Sequence, residues 1–362
     1  YDINVGGHHR GSPPGGFFAP YKNPQMENGP DGESLTLRLA DETSRFIRDH
    51  QSEPFFAMLS FYAVHAPVQT TETLWQKYQA KASGDVSDRF IIDRTLPVRQ
   101  VQDHPVYAGM METLDKAVGK VMDQLEASGL SDSTIVIFTG DNGGVSSGDA
   151  YATCNLPLRG GKGRQWEGGI REPFYIRYPN GADEGITSDV PVTGADLFPT
   201  VLELCGLDAM PDQHVDGVSL VPLLNSRTIE PRPLYWHYPH YGNQGGEPNA
   251  IVRIGNEKLI HYYEDGRNEL YDLESDPGEQ NDLAAAKPER AAAMWKQLDQ
   301  WLTEANATRP LRDPRFDAEK DKQRWQRIHT TNKQRLERNH ANYLDPNWKP
   351  NPTWWGSQLT ED

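Results

Sequence analysis

Cysteine is nearly absent: Cys154 and Cys205 are the only two in 362 residues, too few for a disulfide framework, so cysteine usage leaves the redox compartment open. No apolar run reaches the roughly 20 residues that a helix needs to cross a bilayer, so nothing here reads as a membrane span. Positive charge is short as well. The 36 Lys and Arg stand against 52 Asp and Glu, a formal net charge of −16. No basic stripe or RNA-binding motif offsets that balance, which argues against nucleic acid as a partner. An anionic substrate would need locally gathered lysine, arginine, histidine or metal charge. Also missing are an internal repeat, a starting Met and a charged leader; the chain opens at Tyr1, which is therefore not expected to be the natural start of the gene.

What is present is enough apolar residue, 36% of the chain, to bury a sizeable core in one large domain and a smaller one. Residues 1–30 are rich in Gly, Pro, Asn and His and read as irregular loop. From Asp31, Leu35, Leu39, Phe46 and Ile47 fall at helical spacing, and residues 54–62 form an apolar run that reads as a buried strand. A long helix is expected over Tyr107, Met110, Leu114, Val118, Val121 and Leu125, closing at Ser128-Gly129, and a strand over residues 134–139. Helix, strand, helix, strand predicts an α/β sheet with crossover helices. A short strand at 174–178 and a helix at 196–205 complete a first domain spanning residues 1–226. Residues 227–310 predict an α+β subdomain: short strands at 233–240, 250–263 and 269–273, turns at Gly255-Asn256 and Asp265-Gly266, and a helix from Pro288 to Ala305. Residues 311–362 form a polar, helical tail whose last part, with Pro346, Pro350, Pro352, Trp354 and Trp355, is expected to wrap the surface.

The chemistry-bearing residues gather where strands end, the usual place for ligands in open α/β sheets. Asp141 and Asn142 follow the strand and precede Gly143-Gly144. The pair reads either as an Asx turn or as two hard oxygen ligands for a cation, and a calcium ion takes about six to eight. Lys162, between Gly161 and Gly163 with Arg159 and Arg164 nearby, is either a solvated lysine or a point charge for a small anion. It is not a nucleotide phosphate loop, because Gly163 stands where Ser or Thr would follow. His65, just after the first strand, is a structural histidine or a proton donor to a leaving alcohol. His237 and His240, in Trp236-His237-Tyr238-Pro239-His240-Tyr241, either pack between domains or rim a sugar-binding pocket.

Taken in order, Tyr62-Ala63-Val64-His65-Ala66-Pro67, Gly140-Asp141-Asn142-Gly143-Gly144, Leu158-Arg159-Gly160-Gly161-Lys162-Gly163 and Glu167-Gly168-Gly169-Ile170-Arg171-Glu172-Pro173 strongly resemble the type I, formylglycine-dependent sulfatases. The resemblance continues through Glu269-Leu270-Tyr271-Asp272-Leu273 and covers roughly residues 1–310. The Trp236 to Tyr241 segment looks like bacterial polysaccharide sulfatases. The resemblance implies an alkaline-phosphatase-like α/β fold with a mixed central sheet and a smaller C-terminal subdomain. It implies calcium on Asp141 and Asn142, a sulfate oxygen on Lys162, sulfate contact or leaving-group protonation by His65, a sulfated sugar or polysaccharide substrate, and export to periplasm or exterior. The family's Asp-Asp pair, Cys-x-Pro-x-Arg nucleophile segment and Gly-Lys-Trp-His segment do not occur, and Cys154-Asn155-Leu156-Pro157-Leu158-Arg159 departs from the nucleophile pattern by one residue. Truncation ahead of Tyr1 is the expectation, with the isolated chain inactive and calcium's remaining ligands lying in the missing segment. Two rival readings stay open: a phosphate or phosphonate ester hydrolase of the same superfamily, and a module that binds sulfated glycans without turning them over.

Overall fold

The computed structural model describes residues 2–349 apart from 83, 85 and 180–184; Pro350, Pro352, Trp354 and Trp355, expected to wrap the surface, lie outside the described residues. Helix α1 (Leu35–Asp49) begins where Ser34 caps it by accepting from the Leu37 amide, and buries Leu35, Leu39, Ala40 and Ile47. Its stripe packs against Ala19, Tyr21 and Met26, so the Gly- and Pro-rich opening is a fixed cover over the helix. Helix α2 (Glu72–Gln79) is capped by Thr71. A hairpin of β1 (Phe90–Asp93) and β2 (Leu96–Arg99) turns at Arg94, whose φ of 58° lies in the left-handed region. Helix α3 (Pro105–Ala127), with proline at its first position, takes α1 and α2 on its sides and closes through Gly129 at φ 68°.

Strand β3 (Val136–Thr139) pairs antiparallel with β4 (Phe174–Arg177), and α4 (Glu167–Ile170) lies between them in sequence. A short 3₁₀ turn leads into α5 (Leu197–Leu204), followed by α6 (Val221–Leu224). The smaller subdomain is the expected antiparallel meander, β5 (Leu234–Tyr238), β6 (Asn249–Ile254), β7 (Glu257–Tyr262) and β8 (Asn268–Asp272), paired in sequence order. Period-two alternation gives it two apolar faces. One carries Ala250, Val252, Leu259 and Leu270 against Met294, Leu298 and Leu302 of α7 (Pro288–Glu304). The other carries Ile251, Ile260, Tyr262 and Tyr271 against Trp166, whose ring is fully buried. That second face anchors the loops of the site. The chain ends in α8 (Ala318–Arg327), a π-helical turn, and α9 (Lys333–Leu344).

Two expectations change. Residues 54–62 belong to no ladder among the described residues, and Phe56 and Met58 are 65% and 67% exposed rather than buried. An apolar run specifies what a strand would bury but not which neighbour completes its hydrogen bonds. Parallel crossover pairing is likewise not seen among the described residues, where every ladder is antiparallel. The polar tail packs on the core: α9 docks through Trp75 Nε1 donating to the Tyr343 carbonyl at 2.9 Å, and through His340.

His340 enters a buried ion cluster in which Asp103 accepts from Arg89 Nε at 2.8 Å and Arg99 Nη1 at 2.8 Å, with His340 Nε2 at 3.3 Å. Burial alone would raise the Asp103 carboxyl, but hydrogen bonds from His340 and Arg89 outweigh it and hold the group below its ordinary range. His104 beside it caps α3 by accepting from the Tyr107 amide at 3.4 Å, and burial, aided by the Arg99 charge, holds its pKa well below the ordinary histidine value. Burial also lowers His340. All three depressed groups bind fewer protons folded than unfolded, so the stability they contribute is present above the unfolded pKa, about 6.5 for histidine, and is lost as pH falls. The melting temperature should therefore drop between about pH 7.5 and pH 5. His104→Asn, which keeps a capping acceptor but does not titrate, should flatten that drop in thermal scans; an identical slope in the variant would rule out His104 as a contributor.

Candidate active site

Three loops meet backbone to backbone. Residues 140–144 follow β3, residues 157–164 form the basic loop, and residues 166–171 make the α4 turn. The Gly143 amide donates to the Gly169 carbonyl at 3.2 Å, Gly168 N to Arg159 O at 2.9 Å, and Lys162 N to Gly144 O at 3.1 Å. The crossings leave no room for side chains. A Cβ on Gly143 would sit 1.9 Å from the Gly168 carbonyl oxygen, and one on Gly161 would sit 2.4 Å from both Gly144 O and Ser146 Oγ. These glycines let the loops approach each other.

The candidate side chains emerge from this knot. Lys162 is half-buried, and its ammonium makes no hydrogen bond or ion pair among the described residues. Arg159 and Arg164, expected to add charge beside it, turn elsewhere: both lie over the Trp166 ring, at 3.8 and 5.1 Å, and Arg159 pairs with Asp93 at 2.8 Å. Lys162 is thus the cation the loop leaves available. Asp141 is exposed and Asn142 half-buried at the end of β3. Beside them stands Glu172, to which the sequence reading gave no role. Its Oε1 is buried without a hydrogen-bond partner, and burial together with the Asp141 charge pushes its carboxyl up to about 7.

Two carboxylates, one with an orphaned buried oxygen, and a carboxamide are donors of a kind that suits a hard cation. No group of three or more His, Cys, Asp or Glu able to hold a metal occurs among the described residues.

The remaining candidates are placed as follows. His65 sets its Nδ1 on the Ala66 carbonyl at 2.8 Å, which leaves Nε2 to meet a ligand; no hydrogen bond or ion pair joins it to Lys162, Asp141 or Asn142 among the described residues. His237 and His240 are not equivalent. His237 pairs across the sheet with Ala250 on the α7 face and meets Tyr263 edge-on at 5.7 Å, pointing away from the Trp166 face. His240 is exposed beside Tyr238 at 5.6 Å. The loop that follows lies directly on the basic loop. Gln244 Nε2 and Asn243 Nδ2 donate to Asp149 at 2.7 and 2.6 Å, and Ser147 Oγ donates to Gln244 O at 2.6 Å. A Cβ on Gly163 would be 2.7 Å from Gln244 Oε1. Such long-range contacts leave no local signal in sequence.

Because the atoms facing Gly143 are main chain and cannot yield, Gly143→Ala should cost about 3 kcal/mol or more, read by urea denaturation. Gly119→Ala, in α3 with nothing within 4 Å, is the control and should be neutral or stabilising by about 0.5–1 kcal/mol. Equal effects at both sites would mean the loops are not packed as described.

Residues 12–207 match the Sulfatase family model, and residues 162–308 match the model for the N-sulphoglucosamine sulphohydrolase C-terminal region. A sulfatase from Formosa agariphila is 32% identical over 311 residues, covering 79% of this chain and 53% of that protein. Human steryl-sulfatase is 30% identical over 201 residues, covering 54% of this chain and 30% of the relative. Among solved structures, Ps i-CgsB in complex with k-i-k-neocarrahexaose aligns with a TM-score of 0.61 at 25% identity, over 76% of this chain and 56% of that one. A second, BT4656 in complex with its substrate D-glucosamine-2-N,6-O-disulfate, aligns at 0.59 and 20% identity over 75% and 69%, a likeness of fold. The chain spans about half the length of the Formosa protein. The α/β class with an antiparallel C-terminal subdomain, the glycine-built loops and both family matches lead to one conclusion: the chain belongs to the sulfatase family.

Proposed function

We propose that these residues form the cation-binding and oxyanion-holding part of a sulfuric ester hydrolase that acts on sulfated carbohydrate. One observation carries the reading. The Lys162 amide is bonded to the Gly144 carbonyl, two residues beyond Asn142, so the free ammonium and the cation donors are held in one rigid unit. Asp141 and Asn142, with Glu172 alongside, would hold calcium, which when bound supplies positive charge against the ester's sulfate oxygens. Lys162 stabilises negative charge on a sulfate oxygen through a charge-assisted hydrogen bond. His65, whose Nδ1–H is donated to the Ala66 carbonyl, would as the imidazolium give its Nε2 proton to the departing alcohol. No Cys-x-Pro-x-Arg or Ser-x-Pro-x-Arg segment occurs in the 362 residues, so the reading assigns cation, oxyanion and proton-donor roles here and no nucleophile.

The substrate class rests on the rim. Exposed His240, Tyr238 and Tyr241 border the loop that overlies Gly163, where aromatic faces stack on sugar rings and imidazole meets hydroxyl or sulfate oxygens. His237 supports this rim from the α7 side rather than touching substrate. A sulfated polysaccharide would be met in the periplasm or outside the cell, and fractionation of the source cells checks that.

The test is turnover by the full-length protein of sulfated oligosaccharides against matched phosphonate esters; preference for phosphonate, or binding without turnover, would select one of the rival readings. Lys162→Ala should lower kcat/KM for the sulfate ester by about 10- to 100-fold, the worth of a lost charge-assisted contact at about 1.5–3 kcal/mol. Asp141→Ala and Asn142→Ala should each weaken calcium binding in calorimetry. Unchanged affinity in both would reduce the pair to an ordinary turn.

A further inference from the structure

Asn155 lies in the Cys154 to Arg159 segment, which resembles a nucleophile motif displaced by one residue and which the proposed chemistry does not use. Its carboxamide Nδ2 donates to Gly144 O at 2.9 Å and to Gly160 O at 2.9 Å. Gly144 stands two residues after Asn142, and Gly160 two residues before Lys162. We propose that Asn155 is a positioning residue that sets the spacing between the cation-binding loop and Lys162.

The chemistry is specific to the carboxamide. Two N–H groups on one nitrogen meet two carbonyls, each on a different loop, so the separation of the loops is fixed by the width of one NH₂ group. Gly144 O also accepts the Lys162 amide at 3.1 Å and the Ser146 amide at 2.9 Å, while Ser146 Oγ donates to Gly160 O at 2.9 Å. The clamp thus shares its acceptors with the bond that orients Lys162. Asn155 is itself held from behind, because its carbonyl accepts from the Leu158 amide at 3.0 Å. Aspartate has the same size but would set oxygens against two carbonyl oxygens, and alanine would leave the loops joined by Ser146 and main chain alone.

The inference rests on the reading of Lys162 as an oxyanion contact, and the test separates the two. In Asn155→Ala of the full-length protein, hydrogen exchange at the Lys162 amide should rise at least about tenfold while amides of β6 and β7 keep their rates. The loss in kcat/KM, expected at about 10- to 100-fold, should shrink to less than about threefold when Lys162 is already alanine, because a residue acting through Lys162 has nothing left to position. A merely structural residue would cost the same in both backgrounds. Should the alanine variant fail to fold, Asn155→Asp is the replacement and should show the same pattern. Unchanged exchange at Lys162, or equal losses in both backgrounds, overturns the proposal. If Lys162→Ala leaves turnover untouched, the functional reading of Lys162 falls and the exchange result alone still decides whether Asn155 is the clamp.

Discussion

The ammonium of Lys258, with no exposed surface, sits between Glu167 at 3.0 Å and Glu279 at 2.8 Å, and the rest of the site hangs on that contact. Lys258 belongs to β7, Glu167 opens the α4 turn, and Glu279 follows β8. Taking these charges out of water is costly, and two further bonds offset the cost. Glu279 Oε2 accepts from the Glu167 amide at 2.6 Å, and Arg253 reaches Glu167 at 3.2 Å. Burial still drives the Glu279 carboxyl upward against the pull of Lys258. The result is a polar bolt between the smaller subdomain and the glycine loops.

Around the bolt the contacts are arranged by type. Trp166 presents one flat apolar body to Ile251 and Ile260 and its π-face to Arg159 and Arg164. Arg94, at the hairpin turn, grips Glu247 with two bonds of 2.6 and 2.7 Å and Glu269 with a third at 3.0 Å. Arg94, Arg159 and Arg164 are therefore consumed in holding the subdomain against the loops, while the Lys162 ammonium makes no hydrogen bond or ion pair among the described residues. In a chain of net charge −16 a locally uncommitted cation matters, since the general field repels an anion.

Helices α1, α3 and α7 were legible because each writes its buried stripe at 3.6-residue spacing beside a cap such as Ser34 or a stop such as Gly129. The four-stranded meander was legible because Gly255-Asn256 and Asp265-Gly266 mark its turns. The β1–β2 hairpin was not: Arg94, a residue with no turn preference, is held at positive φ within its grip on Glu247 and Glu269. Residues 54–62 misled for the opposite reason, an apolar pattern read as burial where no ladder forms among the described residues. At the site, Asp141, Asn142 and Lys162 could be picked out as residue types in glycine-rich settings, whereas Glu172, Asn155 and Gln244 could not.

By itself the sequence determined the residue types of a candidate anion and cation site, the order of its loops, the helices with periodic stripes and the strands and turns of the meander, because capping, turn chemistry and periodicity act over a few neighbouring residues. The tertiary structure alone decided which charges remain free, which face His237 and His240 occupy, and how Asn155 and Lys258 fix the loops. Those outcomes depend on hydrogen bonds and ion pairs between residues up to 175 positions apart, as in Arg94 and Glu269, where the partner is chosen by packing and no local pattern records it.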